Sequence, residues 1–356
     1  MKVLIIKTSS LGDIIQAFPV LDYFHTYYPD AQIDWVVEKP FSELIEAHPY
    51  VHQVFTIQTK KWKKQGFLKS HTRREIQECA RDLHLQSYDR VFDLQGNIKS
   101  GLVTAIARAP IKVGFGYASV PESPNILFTN HRFNPPQGQN IREDYLFLVQ
   151  SAMKNFKTAE NGVMLRISEE EEVKVLNLLR HPNLRHGKKI MVCCGSNWVN
   201  KQLKPETLGI FLESIQKELN SSFLFVWGSQ EEKNIVEELT NKFPTSSLVA
   251  EKLALPTLQN VMAKMDLVIS MDSLPLHLAG TTSTPTYSIF GPSLAHKYKP
   301  VGMHHESFQG ICPYDKQFVK RCPLLRTCAT GSCMRDVEAK KLFDHFMDWF
   351  KDLRRS

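Results

Sequence analysis

Several loops in this sequence bring anion-binding and acid-base residue types together. In Val3 to Pro19, VLIIKTSSLGDIIQAFP, an apolar run breaks into Lys-Thr-Ser-Ser-Leu-Gly-Asp before apolar periodicity resumes. Ser9, Ser10 and Gly12 are small enough for backbone N–H groups at a helix start to approach an anion closely. Asp13, in the first turn of that helix, has the wrong sign for a phosphate. It is either an ordinary first-turn acid, worth a few tenths of a kcal/mol to about 1 kcal/mol against the helix dipole, or an acid with a task that the turn alone does not name.

Three later loops suit a phosphorylated ligand. GSNWVNKQLKP sets Gly195 and Ser196 ahead of Lys201, donors and a point charge fit for a diphosphate. A polar loop with a surface lysine is an equal reading. GSQEE places Glu232 four residues beyond Gly228, where an acid can bond ribose hydroxyls or simply start a helix. DSLPLHLAG carries Asp272, Ser273 and His277; Ser273 opens a helix whose free N–H groups can receive a phosphate, and His277 is either a ligand or a packed histidine. The segment Lys60 to Arg74 is different: seven cations, no acid, and Trp62 and Phe67 among them. It is either a solvated run or a surface for an acidic acceptor or an anionic lipid. No nucleic-acid motif accompanies it. DLQGNIKSG adds Asp93, Gln95, Gly96, Lys99 and Ser100.

The elements that must hold these residues alternate. Val3–Ile6, Gln32–Val37, His52–Ile57, Asp89–Leu94 and Ile111–Phe115 read as strands separated by helical segments, with Ile14, Ile15, Phe18 and Leu21 as one inner helix face. A second series starts at Lys189–Cys194 and continues through Ser222–Trp227, Asp266–Met271 and Thr286–Phe290. Between them, Ser168 and Glu171 form a capping box ahead of a helix with Val173, Leu176 and Leu179 on its apolar face. The pattern predicts two α/β units in tandem. Ligands of such sheets bind beyond the C-terminal strand ends, which would put the chemistry in a cleft between the units.

Length and composition agree. At 356 residues with 42% hydrophobic and 23% charged residues, the chain reads as a soluble two-domain protein, and its net charge of +7 favours acidic partners. No signal-peptide core and no run near the ~20 apolar residues of a membrane span is present. The expectation is a cytoplasmic protein that can touch a membrane surface.

Taken in order, KTSSLGDII, KKWKK, DLQGNIKSG, GSNWVNK, WGSQEE, DSLPLHLAG and FGPS resemble the heptosyltransferases of glycosyltransferase family 9, bacterial enzymes that build the lipopolysaccharide inner core from ADP-heptose. The opening motif and KKWKK most resemble heptosyltransferase I, which adds the first heptose to Kdo. The resemblance implies the GT-B architecture: an acceptor-binding Rossmann-like domain over 1–165, an ADP-sugar-binding one over 166–340 and a C-terminal helix over 341–356. It implies a metal-independent inverting transfer that needs no cofactor, with Asp13 as general base. Ser196, Asn197, Lys201, Glu232, Asp272, Ser273 and His277 would then bind ADP-heptose. Ser10, Lys60, Lys61, Lys63, Lys64, Gln95 and Lys99 would meet an acidic glycolipid acceptor of the Kdo-lipid A type. The chain departs from the family pattern at Leu274, where glycine is common.

Of seven cysteines, Cys312, Cys322, Cys328 and Cys333 fall within 22 residues. Four thiolates can hold Zn or Fe in a structural site; the other reading is four reduced thiols packing a loop. Some relatives that modify autotransporter proteins carry such a segment, so a protein acceptor is the alternative substrate. A nucleotide-sugar-binding protein without turnover is the non-enzymatic alternative.

Overall fold

Lys2–Ile6 buries four of its five residues completely, as expected of a strand covered on both faces. In the computed structural model, which describes residues 1–66, 68–159 and 162–353, it is central to one of two compact units, Met1–Arg166 and Ile167–Ser356. Phe67 lies outside the described residues.

The first unit contains β1 (Lys2–Ile6), α1 (Leu11–Ile15), α2 (Pro19–Tyr27), β2 (Gln32–Glu38), α3 (Ser42–Glu46), β3 (Gln53–Ile57), α4 (Thr59–Gln65), α5 (Ser70–His84), β4 (Arg90–Asp93), α6 (Ile98–Ile106), β5 (Ile111–Phe115), β6 (His131–Phe133) and α7 (Ile141–Met153). Its strands are all parallel, in the order β3-β2-β1-β4-β5-β6. The order reverses between β1 and β4, the point at which an open α/β sheet leaves a crevice beyond its strand ends. The register pairs Ile6 with Val36 and with Asp93, so the loops after β1, β2 and β4 emerge side by side. Alternation along the strands sends Leu4, Ile6, Val36 and Val91 to one face, against Trp62, Leu83 and Val103. On other aromatic contacts, Trp35 meets Phe18 and Phe92 meets Phe24.

The second unit repeats the scheme with α8 (Glu169–Leu179), β7 (Lys189–Cys193), α9 (Pro205–Leu219), β8 (Ser222–Val226), α10 (Gln230–Thr240), β9 (Ser247–Val249), α11 (Leu255–Met262), β10 (Leu267–Met271), α12 (Leu274–Ala279), β11 (Thr286–Phe290), α13 (Ala295–Tyr298), β12 (His305–Gln309), α14 (Ser332–Arg335) and α15 (Ala339–Leu353). The order β12-β11-β10-β7-β8-β9 is the same winding, reversing between β7 and β10. Helix α15 belongs to this unit: Leu342, Phe346, Met347 and Phe350 are buried in a core that includes Phe211 of α9 and Tyr287 of β11. Each such side chain contributes about 1.5–3 kcal/mol.

Two local expectations are corrected and three strands are added. The single helix through Ile14 and Leu21 is two, because Pro19 lacks the N–H that an unbroken helix would need and instead starts α2. On α8 the capping box forms, but Val173 and Leu176 are exposed and Val175 is the buried residue; Glu171 of its first turn is bonded by Thr257 of α11. Strands β6, β9 and β12 were not legible in the sequence. Each is a sheet edge with short or polar sequence, HRF, SLV and HESFQ, as edges commonly are. No helix among the described residues is long and apolar enough to cross a membrane.

Candidate active site

The loop after β1 is held from three sides. Gln95 Oε1 accepts the N–H groups of Thr8 and Ser9 at 3.2 Å each, and the Glu38 N–H donates to the Thr8 carbonyl. Trp35 Nε1 donates to the Lys7 carbonyl at 3.0 Å. At the start of α1, Ser10 donates both its N–H and its hydroxyl to Asp13 Oδ2, at 3.2 and 2.7 Å. Asp13 is half-buried, so its carboxylate is fixed by its own turn yet reachable from solvent. Lys7 is buried; its ammonium donates to the Tyr145 hydroxyl at 2.8 Å and the Leu94 carbonyl at 3.3 Å. Burial draws that ammonium down to about 8, against the attraction of Asp13 and Asp93.

The loop after β4 is more structural than its sequence suggests. Asp93 is fully buried and accepts from the N–H groups of Gln95 and Gly96, the Ser100 hydroxyl and Asn125 Nδ2, at 2.6 to 3.0 Å. Asp93 and Ser100 are therefore interior groups and face no ligand. Gln95 uses its amide oxygen on the β1 loop, as above. Lys99 pairs with Glu38 Oε1 at 2.9 Å, and Glu38 also takes the Thr59 hydroxyl and N–H.

On α4, Lys60, Lys61, Lys63 and Lys64 are exposed, while Trp62 between them is buried and donates its indole N–H to Glu75. Lys61 also pairs with Glu75, at 2.8 Å. The acid-free run thus acquires a carboxylate from α5, and Trp62 is a core anchor that turns the lysines outward.

In the second unit the loops after β7 and β10 meet. Lys201, in the 3-10 turn Val199–Lys201, reaches Asp272 Oδ2 at 2.5 Å, and His277 Nε2 lies 3.9 Å from Asp272 Oδ1. All three are buried. Burial alone would raise the Asp272 carboxyl, but the charges of Lys201 and His277 hold it below its ordinary value. Ser273 begins α12, with its hydroxyl on the Met271 carbonyl. Glu232 closes the capping box of α10 by accepting the Ser229 N–H at 3.4 Å, and the same oxygen takes the Gly228 N–H at 2.6 Å. A Cβ on Gly195 would stand 2.0 Å from Glu232 Cδ, so glycine is what lets that carboxylate approach the β7 loop. The Ser196 backbone carbonyl accepts from the Gln202 side-chain amide, and Asn197 is exposed.

The cysteine-rich segment packs against this loop. Cys312, Cys322, Cys328 and Cys333 line one cavity of about 170 Å³ together with Asn200. Asn200 Nδ2 donates to the carbonyls of Leu325 and Cys328 at 3.0 and 2.9 Å. Burial and the three other thiols push the Cys333 thiol up to about 11, while the Gly331 N–H and Thr330 lower that of Cys328. Among the described residues no group of three or more Cys, His, Asp or Glu side chains is placed to hold a metal ion.

Sequence reasoning missed Lys7 and Asn200 as members of these loops and Tyr145 of α7 as a partner of Lys7. Lys7 and Asn200 stood inside quoted motifs, but a partner such as Tyr145 leaves no local signal.

Residues 76–327 match the model for glycosyltransferase family 9 (heptosyltransferase). The chain is 29% identical over 307 residues to lipopolysaccharide heptosyltransferase 1 of Campylobacter coli, covering 84% of this chain and 87% of that one. Among solved structures it is similar to E. coli heptosyltransferase WaaC with ADP, at a TM-score of 0.77 and 22% identity over 98% of this chain and 100% of the other. A family 9 glycosyltransferase from Veillonella parvula gives a TM-score of 0.80 at 17% identity, over 99% and 97%. The two Rossmann-like units are thus those of the GT-B fold. Since the family match spans well over half of its length, the chain belongs to glycosyltransferase family 9, the heptosyltransferases.

Proposed function

We propose that this enzyme moves a heptose from ADP-heptose to a hydroxyl of the lipopolysaccharide inner core, the Kdo of an acidic glycolipid, at the inner face of the inner membrane. The observation that carries the chemistry is Asp13, half-buried at the open end of β1 with one oxygen taken by Ser10 and an acid-base role open to it. In the proposed inverting step the acceptor hydroxyl attacks the anomeric carbon and its C–O bond forms as the bond to the diphosphate oxygen breaks. The hydroxyl proton passes to Asp13, and ADP leaves with the electron pair. A sugar hydroxyl is a poor nucleophile, so a positioned base is worth typically about 10²–10⁴-fold.

The second unit is the donor site in this reading. Lys201, fixed by Asp272, and the helix start at Ser273 offer positive potential to the diphosphate, which gains charge as it departs. Ser196, Asn197, Glu232 and His277 complete the set. On the first unit the exposed Lys60, Lys63 and Lys64 suit the carboxylates and phosphates of the acceptor, and the relatives named for lipopolysaccharide favour a glycolipid. Lys61, Lys99, Ser10 and Gln95 already have protein partners, so their part is to shape the acceptor surface.

ADP release from ADP-heptose, measured with Kdo-lipid A and with a candidate protein acceptor, tests the substrate. Release dependent on Kdo-lipid A is expected, and release dependent only on protein would replace the acceptor. Asp13→Asn should keep the Kd for ADP-heptose and lose about 10²–10⁴-fold in kcat; a near-normal kcat would remove Asp13 as the base.

A further inference from the structure

Lys201 is carried by a turn with little stability of its own. The 3-10 turn Val199–Lys201 closes on two hydrogen bonds, from the Lys201 N–H to the Trp198 carbonyl and from the Gln202 N–H to the Val199 carbonyl, and both Trp198 and Val199 are exposed. It is fixed from outside through its middle residue. Asn200 Nδ2 gives its two hydrogens to carbonyls of the cysteine-rich segment, Leu325 at 3.0 Å and Cys328 at 2.9 Å. Between those carbonyls in sequence, Arg326 lays its guanidinium 4.7 Å from the Trp198 ring centroid. On the other side of the amide, a Cβ on Gly331 would stand 2.6 Å from Asn200 Oδ1.

The segment that holds Asn200 is itself rooted. The Leu294 N–H donates to the Lys320 carbonyl and the Cys322 N–H to the Pro292 carbonyl, an antiparallel bridge to the loop after β11. Tight turns follow: the Leu325 N–H meets the Cys322 carbonyl, the N–H groups of Thr327 and Cys328 share the Leu324 carbonyl, and the Gly331 N–H donates to Cys328 Sγ at 3.4 Å. Helix α14 comes next and buries Met334 in the core of the unit. The strand-end loops are thereby joined in a circuit. Residues 320–331 link the β11 loop to Asn200, and Lys201 beside it links the β7 loop to Asp272 after β10.

We propose that Asn200 is a positioning residue through which the cysteine-rich segment sets Lys201 in place for the diphosphate of the donor. The proposal rests on the reading of the second unit as the donor site. A cation stabilises a departing diphosphate most when it is in position before the bond breaks. Asp272 fixes only the ammonium end of a long side chain, and Asn200 fixes the backbone end. With both amide hydrogens on carbonyls, the Asn200 side chain has no donor left for a phosphate oxygen, so it acts through its neighbour.

The test is calorimetric titration of the intact enzyme with ADP, as a double-mutant cycle over residues 200 and 201. Asn200→Ala should raise the ADP Kd about three- to tenfold and leave acceptor KM unchanged. In a Lys201→Ala background the same substitution should cost little further, because the group it positions is gone. Gly331→Ala, which keeps Asn200 and Lys201 and presses on the amide from the segment, should also weaken ADP, and it decides the question if Asn200→Ala does not fold. An unchanged Kd, or an equal loss with and without the Lys201 ammonium, would overturn the proposal. A Lys201→Ala enzyme that binds ADP as tightly as wild type would overturn the donor-site reading instead, so the two failures are distinguishable.

Discussion

The two units share one winding but treat charge at their strand ends in opposite ways. In the second, Lys201 and Asp272 are both buried and lie 2.5 Å apart, so the pair is matched within the protein and His277 stands beside it. In the first, the cation is buried against neutral acceptors while the acid, Asp13, is half-buried at the loop surface. A closed pair is a rigid fixture that holds a point charge in place for a ligand. In the first unit Asp13 accepts from Ser10 of its own turn at the loop surface, where the proposed base would meet an acceptor. Identical topology therefore does not imply identical chemistry; the charge arrangement over the strand ends decides it.

The contrast predicts where stability is stored. Asp272→Ala strands Lys201 as an uncompensated buried charge and should destabilise the second unit by about 3–5 kcal/mol in denaturant unfolding. Asp13→Asn should cost no more than about 1 kcal/mol, the worth of a first-turn acid. Equal costs would end the distinction. For function, Lys201→Ala should weaken ADP-heptose binding at least about tenfold, as loss of a charge-assisted contact does, with acceptor KM unchanged; an unmoved donor Kd would remove Lys201 from the donor site.

The pH response should differ as well. Asp22, with one carboxylate oxygen buried and unpartnered, is pushed up to about 7 by burial. Its folded value exceeds the unfolded one, so its contribution is most favourable below about pH 3.8 and is lost as pH rises through 7. Asp22→Asn should then stabilise the first unit at pH 8 by about 1–3 kcal/mol, a gain that disappears below pH 3.8. His48, drawn down to about 3 by burial and by Arg166, has the opposite slope, its contribution present above pH 6.5 and lost as pH falls toward 3. Asp272, held low, contributes above the ordinary carboxylate range and is lost only in acid. Near neutrality the first unit should show the pH dependence, and thermal melts of wild type and Asp22→Asn from pH 6 to 8 measure it.

The smallest effect concerns the exposed lysines of α4. Replacing Lys60 and Lys64 together with alanine should raise acceptor KM several-fold, since exposed charges are worth about 0.2–1 kcal/mol each. The increase should shrink at high salt, while the donor Kd stays constant. A change confined to donor kinetics would move the acceptor surface elsewhere.

Legibility in the sequence followed burial. Central strands are apolar on both faces and were found; β6, β9 and β12, at the edges, were not. Asp272, Lys201 and His277 were each singled out by position after a strand, and the structure brings them together. Gln95 and Lys99 were singled out by the same rule, yet one staples the β1 loop and the other answers Glu38, 61 residues away in the chain. A motif supplies residue types at a strand end, but whether a side chain meets a ligand or a neighbour depends on what the next strand presents.

By itself the sequence determined the two-unit α/β plan and the family, because strand burial, turn residues and motif order are local properties. Tertiary structure alone decided which charged groups meet which partners. Lys201 finds Asp272 across 71 residues, and Lys7 finds Tyr145 across 138. Such pairings depend on strand order and register, which bring distant loops to one sheet edge and have no counterpart in local spacing.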